Sequence, residues 1–135
     1  EEELKKAVEQ FFFLYYPTSR KVDGRWTTRT NADDRADIIH DFGQDYFDGN
    51  PAFDSMRDPD VPPCFVFVFN CFLEIYGCCS ESVTWGDIAS YASLRKIDFS
   101  QYEINMIVRC NGWANGQIRR MRDEQHDDDV GKGDT

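Results

Sequence analysis

The sequence predicts a mainly α fold: a small helical bundle with a capped helix pair toward its C-terminal end, and a short hairpin or plain loop near residues 20–30. Three observations carry this. Apolar residues recur at three- and four-residue spacing in several separate stretches. Two helix-opening motifs, Thr84 with Asp87 and Ser100 with Glu103, stand directly before such stretches. Four of the five prolines fall between residues 48 and 63, so they punctuate the helical patterns rather than interrupt them.

The first helix spans residues 1–16, EEELKKAVEQFFFLYY. Its acids suit the positive end of the helix dipole, Leu4, Val8, Phe11, Phe12 and Tyr15 form one apolar stripe, and Pro17 ends it. Asp23-Gly24 follows between β-tolerant flanks, which fits a hairpin and a loop equally. A second helix begins at Asn31 as N-cap, with Asp34 three residues on. Ile38, Phe42 and Tyr46, widened by Ile39 and Phe47, form its inward stripe, and Gly43 and Gly49 weaken its far end.

Residues 48–63, DGNPAFDSMRDPDVPP, are the least helical part of the chain, an ordered loop or a linker. The run from Cys64 to Cys79 contains FVFVF, which alternates as a buried strand would. Its length and the prolines before it favour a buried helix. Thr84 and Asp87 then open a helix with Trp85, Ile88, Ala89, Tyr91 and Ala92 turned inward. After a join at residues 96–99, Ser100 and Glu103 form an S-x-x-E capping box ahead of the line Tyr102, Met106, Cys110 and Trp113. Gly112 and Gly116 predict a kink or an end there. The expected organisation is one helical domain over residues 1–122 and a disordered acidic tail over 123–135.

The formal net charge of −10 repels phosphate backbones, which argues against direct nucleic-acid binding. The charge is uneven: residues 23–60 hold ten acids and four bases, residues 95–122 six bases and two acids. Two solvated faces of opposite sign fit this, as does head-to-tail self-association into a homo-oligomer. The longest apolar stretch contains Asn70 and Glu74 and is shorter than the roughly 20 residues a membrane helix needs, so a soluble protein without a membrane partner is expected. Five cysteines, with no C-x-x-C pair and no signal peptide, suit a reducing cytoplasm. Cys64, Cys71 and Cys78, seven apart, would share one helix face as core residues.

Catalytic equipment is sparse. Asp34, Asp37 and Asp41 share a helix face beside His40, and a divalent cation held there would make a metal-dependent hydrolase. That chemistry needs further histidines, and His126 sits in the tail. A solvated acidic face is the simpler account. No G-x-S-x-G elbow, glycine-rich phosphate loop or H-E-x-x-H motif occurs. No catalytic residue, metal site or cofactor is expected.

The stretch 83–114, VTWGDIASYASLRKIDFSQYEINMIVRCNGWA, resembles the C-terminal segment of a family of small tail assembly chaperones from long-tailed bacteriophages. In that family an aromatic or apolar residue precedes a helix of the form x-D/E-I-x-x-Y/W-x-x-L, and a short join then gives L-S-x-W-E. Trp85, Asp87, Ile88, Tyr91 and Leu94 match the first part. Phe99, Ser100, Tyr102 and Glu103 match the join, and Met106, Ile107, Asn111 and Trp113 fall on the last helix's buried line. The glycine usual in the join is replaced by Arg95 or Lys96, and Tyr102 stands where tryptophan is commoner.

The resemblance implies a mostly helical, non-enzymatic protein of the bacterial host cytoplasm that needs no cofactor and often self-assembles. It implies binding to the tape measure protein, whose apolar surface is kept covered, and recruitment of the tail tube protein. A chaperone for a long amphipathic helix needs an apolar groove. Phe11, Phe12, Trp85, Tyr91, Tyr102 and Trp113 are the partner-binding candidates. The alternative drawn from charge is an acidic DNA mimic or another small phage or host inhibitor protein.

Overall fold

The computed structural model describes residues 1–79 and 82–133, with side chains through Glu124. Six α-helices and one two-stranded antiparallel hairpin make up the regular structure among these residues: α1 (Glu2–Tyr15), β1 (Thr18–Val22), β2 (Arg25–Arg29), α2 (Asn31–Phe42), α3 (Gln44–Asp48), α4 (Val66–Gly77), α5 (Trp85–Arg95) and α6 (Gln101–Gly133). The protein is mainly α, as its sequence predicts. Short 3₁₀ turns at Pro51–Met56 and Pro63–Phe65 complete it.

The chain groups into two compact units. Unit 1 comprises Glu1–Val8 and Asp60–Gly116; unit 2 comprises Glu9–Pro59 and Gln117–Thr135. Helices α1 and α6 each contribute to both. The backbone of α6 continues to Gly133, into the stretch expected to be a disordered tail, and the last two positions of that stretch lie outside the described residues.

In unit 1, α4 buries Val68, Phe69, Cys71, Phe72 and Ile75, spacing that only a helix brings onto one face. The FVFVF run is therefore helical. Its start follows Pro62 and Pro63, which preset φ for a first turn that needs no N–H donor there. Leu4, Ala7 and Val8 of α1, Ile88 of α5, and Met106, Ile107, Cys110 and Ala114 of α6 supply the rest of this core. The buried line of α6 runs through Met106 and Cys110 but then turns to Ala114, leaving Tyr102 outside. Neither Gly112 nor Gly116 ends the helix, whose packed face carries it past both.

Both predicted capping boxes form. Thr84 Oγ1 accepts from the Asp87 N–H at 3.2 Å and Asp87 accepts from the Thr84 N–H at 2.8 Å. Ser100 and Glu103 repeat the pattern at 3.2 and 2.8 Å. Lys96 ends α5 in the left-handed region, φ 55°, at the place where glycine would be unstrained.

In unit 2, Asp23 and Gly24 both take positive φ, 52° and 80°, the geometry of a two-residue hairpin turn that matches strand twist. The hairpin alternative is the one adopted, with Thr18 opposite Arg29 and Val22 opposite Arg25. The second helix begins at Asn31, but its N-cap is the residue before it. Thr30 is its N-cap, in a capping box with Asp33, because the Asn31 side chain is engaged elsewhere. Asn31 donates to the Phe13 carbonyl and accepts from Arg20, each at 2.7 Å.

Gly43, at φ 95° and ψ 158°, separates α2 from α3 in a conformation closed to residues with a Cβ. The break rotates the expected inward stripe. Phe47 is buried, whereas Phe42 and Tyr46 are 64% and 47% exposed. Residues 48–63 form an ordered loop rather than a free linker. Arg57 donates to the Phe47, Asp48 and Asn50 carbonyls at 3.1–3.3 Å, and Gln10 donates to the Arg57 carbonyl at 2.7 Å.

The cysteines do not share a face. Helix α4 begins after Cys64 and ends before Cys78, so both are exposed while Cys71 is buried, and all five thiols are free. Among the described residues, no helix is long and apolar enough to cross a membrane.

Candidate interaction surfaces

The acidic stretch of α2 is occupied by arginines. Arg20 of β1 and Arg29 of β2 both engage the Asp34 carboxylate, the latter at 3.3 Å, and Arg29 reaches Asp37 at 2.6 Å. These pairs fasten the hairpin onto α2 and take the oxygens a cation would need. His40 and Asp41 pair at 3.2 Å at the surface. Among the described residues, no group of three His, Cys, Asp or Glu side chains is placed to hold a metal ion.

The six aromatic candidates divide between the units. Phe11 and Phe12 lie in unit 2, with ring centroids 5.6 Å apart; Phe12 is buried and Phe11 half-buried beside Tyr15 at 4.8 Å. Phe12 is thus a core residue and presents no face for docking. Tyr15 donates to Asp58 at 2.7 Å and accepts from Arg35 at 3.1 Å. The hydrogen bond from Tyr15, reinforced by Arg35, holds the Asp58 carboxyl below the usual range.

Trp85, Tyr91, Tyr102 and Trp113 lie in unit 1. Trp85, expected to face inward, is 61% exposed: as the first residue of α5 it stands before the turn that Ile88 anchors. Tyr102, the second residue of α6, also lies in a first turn and is 56% exposed. Trp113 is half-buried, and no ring contact joins it to Trp85 or Tyr102 among the described residues.

Tyr91 is engaged on several sides. Its hydroxyl donates to Glu74 at 2.6 Å, its ring stacks on Phe99 at 6.3 Å, and Phe99 meets Phe67 at 6.1 Å. Arg95 sits 5.8 Å from the Tyr91 ring and pairs with Glu74 at 3.0 Å. Burial, and then the Glu74 carboxylate, push the Tyr91 hydroxyl well above its ordinary value. Tyr91 therefore joins α4 to α5, and its hydroxyl is a structural donor.

Sequence reasoning missed several exposed apolar residues, Phe42, Tyr46, Phe67 and Leu94 among them. Phe42 and Tyr46 were hidden by a stripe that Gly43 breaks, and Gly43 was the signal. Phe67 and Leu94 lie on helix faces opposite the buried lines of α4 and α5. Comparisons with protein-family models, curated proteins and solved structures return no match.

Proposed function

We propose that the chain is a non-enzymatic tail assembly chaperone that binds the tape measure protein and helps recruit tail tube subunits in the bacterial host cytoplasm. The resemblance of residues 83–114 supplies the partner. The observation that supports the reading is the placement of Trp85 and Tyr102: each lies in the first turn of a helix opened by a reciprocal capping box, and each presents its ring to solvent. Aromatic side chains held on rigid helix ends bind an amphipathic helix at low entropic cost.

The acidic-decoy alternative draws support from the −10 charge. Against it, Asp34, Asp37, Asp54 and Asp58 are each paired with an arginine, which breaks any row of free carboxylates. A hydrolase centred on His40 lacks free ligands for the reason given above.

The test is co-expression of the full chain with the tape measure protein of a long-tailed phage that carries it. The tape measure protein is expected in the soluble fraction and in stable association with the chain. A tape measure protein that remains insoluble and uncaptured overturns the proposal.

A further inference from the structure

We infer that the outer edge of β2 receives an acidic, extended peptide of another protein, which adds to the hairpin as a third strand. The hairpin is a two-stranded sheet in unbroken register from the Thr18–Arg29 pair to the Val22–Arg25 pair. Its closing pair exchanges both main-chain hydrogen bonds and the pairs alternate from there. Trp26 and Thr28 therefore aim their N–H and C=O groups away from β1. Among the described residues, no backbone group outside the hairpin bonds them. Arg25, Trp26, Thr27 and Thr28 are all exposed, four consecutive residues that cover both faces of the strand. An open edge is ordinarily defended by lysine, proline or a bulge. The strand β2, RWTTR, has none of these, and its tryptophan and threonines favour the extended backbone.

The charge of the hairpin selects the occupant. Residues 18–29 hold four bases and one acid, in a chain of net charge −10. Arg20 and Arg29 are bound to Asp34 and Asp37 of α2, whereas Lys21 and Arg25 are exposed and form no ion pair among the described residues. Side chains alternate along a strand, so Arg25 shares a face with Arg29. Trp26, 59% exposed, stands on the other face, directly across from Lys21. A strand laid along β2 sets one residue beside Arg25 and its neighbour beside Trp26. A carboxylate next to an apolar side chain matches both. A second copy of β2 laid antiparallel in the central register places Arg25 against Arg29, like charge on like, and is disfavoured. Repulsion from the rest of the acidic chain is screened beyond about 8 Å at physiological ionic strength, so the local cations decide. The inference rests on unit 2 alone and stands independently of the tape measure reading.

Fluorescence anisotropy with the full chain tests it. The probe is a fluorescein-labelled peptide, Thr-Val-Thr-Val-Glu-Glu-amide, and the control is its Thr-Val-Thr-Val-Lys-Lys counterpart. Wild type is expected to prefer the acidic probe about fivefold, the scale of cross-strand ion pairing. Arg25 is exposed and unbridged, so Arg25→Glu should fold as wild type and reverse the preference. On binding, the Trp26 and Thr28 amides should slow in hydrogen exchange. Thr28→Pro removes an N–H that the hairpin does not use, so probe binding should be lost while melting matches wild type. Three results overturn the inference: no binding of the acidic probe at about 1 mM, equal affinity of wild type for the two probes, or an unchanged preference in Arg25→Glu. These hold whether or not the proline variant folds.

Discussion

The backbone N–H of Val83 donates to Oδ1 of Asn111 at 3.0 Å, across 28 residues of chain. The bond fastens the segment ahead of α5 to the middle of α6 within unit 1, and Val83 is buried. Replacing Asn111 with Leu leaves that donor unsatisfied. A loss of about 1–3 kcal/mol is expected, read as a lower urea midpoint with an unchanged slope. Asn111→Asp keeps an acceptor and should lose less.

Lys96 and Gly112 are each the wrong residue for their backbone in opposite senses. Lys96 takes a left-handed φ of 55°, which costs a non-glycine residue about 1–2 kcal/mol. Gly112 sits inside α6 with nothing within 4 Å of the place a Cβ would occupy. Lys96→Gly and Gly112→Ala are therefore both expected to raise stability, each by up to about 1 kcal/mol. Chemical denaturation of each single variant checks this.

Asp33, Asp58 and Asp87 all titrate below the ordinary carboxylate range. The Thr30 backbone N–H holds Asp33, the Tyr15 hydroxyl and then Arg35 hold Asp58, and the Thr84 backbone N–H followed by its hydroxyl holds Asp87. A carboxyl depressed in the folded state stabilises the fold above its unfolded value, and that contribution is lost as pH falls through the folded one. The thermal midpoint should decline as pH drops below 3.8, the unperturbed value. An Asp33→Asn, Asp87→Asn double variant, which cannot ionise there, should show a shallower decline over the same window.

The thiols divide by burial. Desolvation pushes Cys110 up to about 12 and raises Cys71, and both are buried, whereas Cys64 and Cys78 are exposed. Thiolate is the reactive form, so native alkylation followed by mass spectrometry should label Cys64 and Cys78 first. Cys71 and Cys110 should react only on unfolding.

Local chemistry made much of the fold legible. The capping boxes at Thr84 and Ser100 were readable because a side-chain oxygen three residues before a carboxylate satisfies two orphan N–H groups without help from distant residues. The Asp23-Gly24 turn was readable for the same reason. What failed depended on partners remote in sequence. Asn31 was displaced from its cap by Phe13 and Arg20, and the acids of α2 were claimed by arginines of the hairpin. Of the aromatic candidates, periodicity could not separate the buried Phe12 from the exposed Trp85 and Tyr102. In a helix's first turn, the side chain's fate depends on the chain that packs against that turn.

The claim that exposed aromatic helix ends are the working parts is tested most directly by calorimetric titration of the tape measure protein with wild type and with a Trp85→Ala, Tyr102→Ala variant. Both rings are largely in solvent, so the variant's melting should match wild type. Its affinity should fall at least about tenfold, the scale expected for aromatic anchors at an interface. Equal affinity in the two proteins, at equal melting temperature, would contradict the account.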